Sequence, residues 1–218
     1  MLLIVIGVLL GFAGGFVAWR EFDSRVLHPG LADAGKQFEK LNHRPPLPVA
    51  ETASYTALGR RVVVPDGSYQ HLKGLNSGGL TPEAFASLSK GQITGAALRS
   101  GGLQRAYLDG WVTPKQDRAI FVVLTEFRDT SLVRQYTDAQ LNSSEAAMGA
   151  KFATVAMHTK GIAARASQGR AASNAYVVVA VCFRLNRTAY VTFAMNKKPR
   201  EADFEWIRTH MRLQQAAL

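Results

Sequence analysis

The sequence predicts an α+β domain, a mainly antiparallel sheet backed by helices, attached to an N-terminal membrane span. Three observations carry this. Leu2 to Trp19 is an uncharged apolar and glycine run. Two pairs of β-rich segments, LQRAYLDGWV with AIFVVLTEF and AYVVVAVCFRL with TAYVTFAM, are each joined closely enough to be hairpins. Helices and antiparallel hairpins segregated in this way indicate α+β, with the helices on one face of the sheet.

In chain order, residues 1–19 are the expected transmembrane anchor. At 1.5 Å per residue the run reaches about 27 Å, enough for a hydrocarbon core. Trp19 and Arg20 supply the aromatic and cationic closure of an interface. A cleaved signal would need a basic n-region, a shorter apolar core and a small-x-small site. The n-region here is a single methionine, and no lipobox cysteine is present. Gly7, Gly11 and Gly15 fall on one helix face, where missing side chains let a second helix, a copy of this chain or another subunit, approach closely. Taken alone, Arg20 and Arg25, offset by Glu21 and Asp23 and with no cation before the run, mildly favour a cytoplasmic C-terminal domain. A very short N-terminal tail is typical of signal-anchors that export the rest, so the C-terminal domain is expected to be extracytoplasmic.

Residues 20–59 are expected to hold a juxtamembrane helix, with Leu31, Ala34, Phe38 and Leu41 at helical spacing, followed by a stiff proline-rich linker around Pro45-Pro46-Leu47-Pro48. The domain is expected over 60–218. RRVVVP predicts a strand ended by Pro65, and LKGLNSGGL a loop without the spacing of a phosphate loop. Thr81-Pro82-Glu83 starts a helix, with Thr81 as cap and Pro82 in the first turn. A second helix is predicted from Gln92 to Ser100, ended by Gly101-Gly102. DTSLVRQYTDAQL predicts a helix capped by Asp129, KFATVAMH a strand, and HTKGIAARASQGRAASN a long polar loop. EADFEWIRTHMRLQQAAL closes as a helix with Phe204, Ile207 and Met211 toward the core.

The order GGLQRAYLDGW, AIFVVLTEFRD, a helix containing a tyrosine, then AYVVVAVCFRLNRTAYVTF resembles a class of actinobacterial membrane-anchored proteins and lipoproteins. These are similar in layout to PsbP-like α+β domains. The resemblance spans about residues 60–215 and implies small sheets backed by helices that usually bind rather than catalyse. It transfers no functional residue, and this chain departs from it in lacking the lipobox and in its longer polar loops.

Charge supplies the candidate site. The chain carries a net +10, and residues 151–200 hold nine cations and no acid. Lys160, Arg165, Arg170, Arg187, Lys197 and Lys198 are the residues expected to face an anionic partner, either headgroups or an acidic polymer. The expected focus is the loop from His158 to Ser173. A solvated basic face is the plainer reading of the same residues.

Catalysis is not expected. Cys182, the one cysteine, lies mid-strand in an apolar run, as a core thiol does. The five histidines, His28, His43, His71, His158 and His210, lack metal-ligand spacing, so no cofactor and no metal are expected. The sequence therefore points to a single-pass, non-catalytic binding or accessory subunit of a membrane assembly. One alternative is an extracytoplasmic carrier or enzyme for a small ligand or lipid, with a cleft between sheet and helices. The other is a cytoplasmic-facing nucleic-acid binder, disfavoured because the aromatics of the second hairpin are interleaved with core Val and Ala.

Overall fold

The computed structural model describes residues 52–67, 69–72, 77–87, 94–171 and 175–218. The predicted span with Gly7, Gly11 and Gly15, the juxtamembrane helix and the Pro-rich stretch lie outside these residues. Among the described residues no helix is long and apolar enough to cross a membrane.

The domain is α+β. In chain order it contains α1 (Ala53–Gly59), β1 (Gln70–His71), β2 (Gly78–Leu80), α2 (Pro82–Ser87), α3 (Gly95–Ser100), β3 (Leu103–Val112) and β4 (Arg118–Phe127). Then come α4 (Thr130–Met148), β5 (Phe152–Val155), β6 (Ile162–Ser167), β7 (Tyr176–Arg184), β8 (Arg187–Met195) and α5 (Glu201–Ala217). Every strand pairing is antiparallel. The sheet order is β1-β3-β4-β8-β7-β6-β5, with β2 also paired to β3. The two predicted hairpins are β3–β4 and β7–β8, and β8 on β4 joins them into the centre of the sheet.

Helices cover both faces, not one. β4, β7 and β8 are buried almost without interruption, so successive side chains on opposite faces both need cover. On one face Val133 and Tyr136 of α4, Phe85 of α2 and Leu98 of α3 pack on Phe121, Val123, Val177, Val179 and Tyr190. On the other, Ile207 and Met211 of α5 and Leu58 of α1 pack on Ile120, Val122, Val178, Ala180, Val191 and Phe193. The imperfect alternation of β3 has a local cause. A register shift between Leu103 and Arg105 puts Leu103 on the α4 face with Ala106 and Leu108, while Trp111 belongs to the α5 face.

The predicted caps form where they were expected. The Ala84 amide donates to Thr81 Oγ1 at 3.2 Å, and the Ser131 amide to Asp129 Oδ1 at 2.8 Å. The second short helix begins later than predicted, at Gly95, where Thr94 accepts from the Ala97 amide at 3.2 Å.

Three segments differ from expectation. RRVVVP is not a strand of the sheet. It runs beside α5, and the side-chain amide of Gln214 takes the place of a neighbouring strand: the Val63 amide donates to Gln214 Oε1 at 2.9 Å, and Gln214 Nε2 donates to Arg61 O at 2.8 Å. β propensity could not distinguish a ladder from one fully buried glutamine. The end of LKGLNSGGL forms β2, whose Gly79 lies against Tyr55 of α1, so closely that an added Cβ would come within 2.5 Å of the tyrosine Cβ. Residues 53–59, grouped with the linker by composition, are thus a helix packed on the sheet through Leu58. Finally, the predicted loop from His158 to Ser173 contains β6. Ile162 and Ala164 alternate into the core of the α5 face, a pattern masked because alanine gives little hydrophobic contrast.

Candidate functional site

β6 and the β7–β8 hairpin decide what becomes of the basic run. An antiparallel hairpin reverses the chain, so residues close in sequence are carried to opposite ends of the sheet. One end is marked by the row Arg118, Met195 and Tyr176, and holds the β3–β4 turn and the β8–α5 connection. The other is marked by Glu126, Arg187 and Arg184, and holds the β7–β8 turn. The six predicted cations do not form one patch.

Arg170, Lys197 and Lys198 gather at the first end, all exposed. Three connections are tied together there. Arg170 donates to Asn196 O at 3.0 Å, and its guanidinium lies 5.3 Å from the centre of the Tyr176 ring. The Asn196 amide donates to Asp117 O at 3.0 Å, and Asn196 Nδ2 to Gln116 O at 3.3 Å. This knot brings in Lys115, an exposed cation far away in sequence, beside exposed Arg200 of the same acid-free run. Two of the nearby acids are paired with arginines, and Asp117 stays exposed and ionised within the rim. Asp117 accepts from Thr113 Oγ1 at 2.6 Å, which holds its carboxyl below the usual range. Asp203 pairs with Arg118 at 2.7 Å, and Glu201 with Arg208 at 2.7 Å. The result is a rim of five exposed cations on three linked loops.

The remaining predicted residues lie elsewhere. Arg165 sits on β6 beneath α4, half-buried, directed at the carbonyls of Leu141 (3.5 Å) and Phe152 (3.4 Å). It serves packing and not a surface. Arg187 is at the second end, paired with buried Glu126 at 2.8 Å and donating to Leu218 O at 3.2 Å. Arg105 takes the other oxygen of Glu126. Burial pushes the Glu126 carboxyl up, but these two guanidinium groups outweigh it and hold it down, ionised. Lys160 is exposed near the same end, its carbonyl accepting from Gln215 Nε2 at 3.0 Å.

Burial raises the Cys182 thiol to about 12, which leaves it protonated and unreactive. His210 is buried against Trp206 and Phe193, at ring separations of 5.9 Å and 5.7 Å, and its Nε2 has no hydrogen-bond partner. Burial lowers it to about 4, with Asp66 opposing, so it is neutral near pH 7. At the sheet edge His71 Nδ1 lies 3.3 Å from Oδ1 of buried Asp109, an oxygen that also accepts from the Gly110 amide at 2.8 Å. Spacing in sequence hid this pair, because pairing of β1 with β3 creates it. An oriented imidazole is half of a nucleophilic site, but no hydroxyl or thiol among the described residues is hydrogen-bonded to it. Among the described residues no three His, Cys, Asp or Glu are grouped to hold a metal ion.

No protein-family model matches this chain, and no curated protein matches it. Among solved structures it is similar to the extracellular domain of PknH from Mycobacterium tuberculosis, with a TM-score of 0.43 and 12% identity, covering 78% of this chain and 98% of that chain. A likeness of this strength settles nothing about activity or partner.

Proposed function

We propose that this chain is a membrane-anchored, non-catalytic binding or accessory protein whose domain meets an anionic partner through the basic rim at the first end of the sheet. The observation that carries the reading is the tied knot at Asn196. It fixes three loops so that Lys115, Arg170, Lys197, Lys198 and Arg200 present charge together and outnumber the exposed Asp117 and Glu201 beside them. Multiple fixed cations on a rigid rim raise the local concentration of a polyanion and steer its approach. Leu2 to Trp19 supplies the anchor in this reading, and Gly7, Gly11 and Gly15 a face for a second membrane helix.

The test uses the full chain in detergent and heparin as a polyanionic probe. The Lys115→Gln/Lys197→Gln/Lys198→Gln triple variant is expected to elute at markedly lower salt than the parent. Lys160→Gln, at the other end, is expected to elute with the parent. Equal elution of the triple variant and the parent would remove the rim from the account.

A further inference from the structure

We propose that the β7–β8 turn, at the end of the sheet opposite the basic rim, is a tip that contacts the bilayer, with Leu185 entering the interface and Arg128, Lys160 and Arg184 meeting anionic headgroups around it. The proposal rests on the anchoring part of the reading above, which keeps the domain beside a membrane, and not on the rim.

Leu185 is 68% exposed, more than any other large hydrophobic side chain among the described residues. It also occupies a backbone conformation with φ +54, in the left-handed region that glycine and asparagine enter most readily and a bulky side chain seldom does. A lone exposed leucine needs no explanation. A leucine held outward in a position suited to glycine, at the apex of a tight turn, invites one.

Its direction is imposed by its neighbours. Asn186 Nδ2 donates to Phe127 O at 2.7 Å, and the Phe127 amide donates to Asn186 O at 2.8 Å. On the other side Arg184 donates to Ala216 O at 2.8 Å, which ties the turn to the end of α5. The side chain therefore projects from a fixed base. Around it Arg128, Lys160 and Arg184 are exposed. Glu126, at this end of β4, is buried between Arg105 and Arg187, and the exposed acid here is Asp129, which accepts from the Ser131 amide at 2.8 Å. An apolar apex with three exposed cations and one exposed acid at its base is the chemistry of an interfacial contact with an anionic bilayer, in which the apolar group enters the acyl boundary and the cations stay at headgroup level. An apolar pocket on another protein would not call for the surrounding cations, and a soluble polyanion would not call for the leucine.

The experiment places a fluorophore at the tip. In Leu185→Cys the new thiol is the accessible one, since Cys182 is buried and its thiol is held protonated. The full chain labelled there with an environment-sensitive dye is reconstituted in vesicles of zwitterionic lipid, or of the same lipid with one third phosphatidylglycerol. Lys197→Cys, labelled in the same way, reports the opposite end, and thermal melts confirm that both variants are folded. Dye at 185 is expected to brighten several-fold in the anionic vesicles and to be quenched by lipids carrying a nitroxide on the acyl chain. Dye at 197 is expected to stay in water. Adding Arg128→Gln and Lys160→Gln should reduce the signal at 185 at least two-fold. If the dye at 185 remains in water while the chain floats with the vesicles, the tip proposal is wrong and the anchor stands. If the dye at 197 is quenched instead, the rim is the membrane face and the proposal is overturned. A chain that does not float with the vesicles overturns the anchoring reading and the tip with it.

Discussion

The two faces of the sheet are equally buried yet built differently. Toward α5, β8 presents Ala189, Val191, Phe193 and Met195, and the helix answers with Ile207 and Met211. Toward α4 the same strand presents Thr188, Tyr190 and Thr192, all at most 1% exposed. Thr188 and Thr125 share a hydroxyl contact of 2.6 Å, and Gln140 of α4 donates to Tyr136 at 2.7 Å. One face is held by apolar packing, and the other adds a seam of hydrogen bonds at its centre. Full burial of a strand therefore does not require an apolar strand. A hydroxyl left without a partner costs about 1–3 kcal/mol, and Thr192 Oγ1 on this strand is one such group.

The largest expected difference between the faces comes from removing packing on the apolar one. Phe193 is fully buried and its ring meets both Trp206 and His210 edge-on. Phe193→Ala should destabilise by about 3–5 kcal/mol. Denaturant unfolding followed by circular dichroism measures this, and a loss below about 1 kcal/mol would mean that the α5 face is not the principal core.

Next in size is pH. His210 is a titratable group against the apolar face, held at about 4 against 6.5 for the exposed group. Between those values the unfolded chain binds a proton that the folded chain refuses, so stability falls as pH drops from about 6.5 toward 4. The loss reaches about 3 kcal/mol by linkage. His210→Phe should flatten that part of the stability profile, and an unchanged slope would assign the acid sensitivity to other groups.

The smallest effect sharpens the description of the polar face. Thr192 Oγ1 is buried without a hydrogen-bond partner. Thr192→Val keeps the shape and removes that hydroxyl, so it should be neutral or stabilise by about 1 kcal/mol. A loss of stability of similar size would show that this hydroxyl is satisfied in solution, and that the seam runs along β8 from Thr188 as far as Thr192.

Much of the framework was legible because it depends on short-range pattern. Thr81 and Asp129 cap their helices through their own neighbours, and the hairpin β7–β8 follows from two β-forming runs around Asn186. β6 is not legible because IAARAS has almost no hydrophobic contrast, and the strand-forming composition of RRVVVP says nothing of what will pair with it. The candidate cations were visible individually, as was the excess that makes them worth asking about. Their grouping was not. Lys115 joins Lys197 only through Asn196, eighty residues away from the Gln116 carbonyl it holds.

What the sequence determined by itself, then, is the α+β class, the caps, the two hairpins, the positive charge and an apolar run long enough to be expected to span a membrane. All are set by residues within a few positions of one another. Tertiary structure alone decided that helices cover both faces of the sheet, that Gln214 stands in for a strand, and that one acid-free stretch is divided between two ends. The physical reason is the antiparallel sheet. It reverses direction at each turn, so it separates neighbours in sequence by the length of a strand and brings together residues that no local pattern connects.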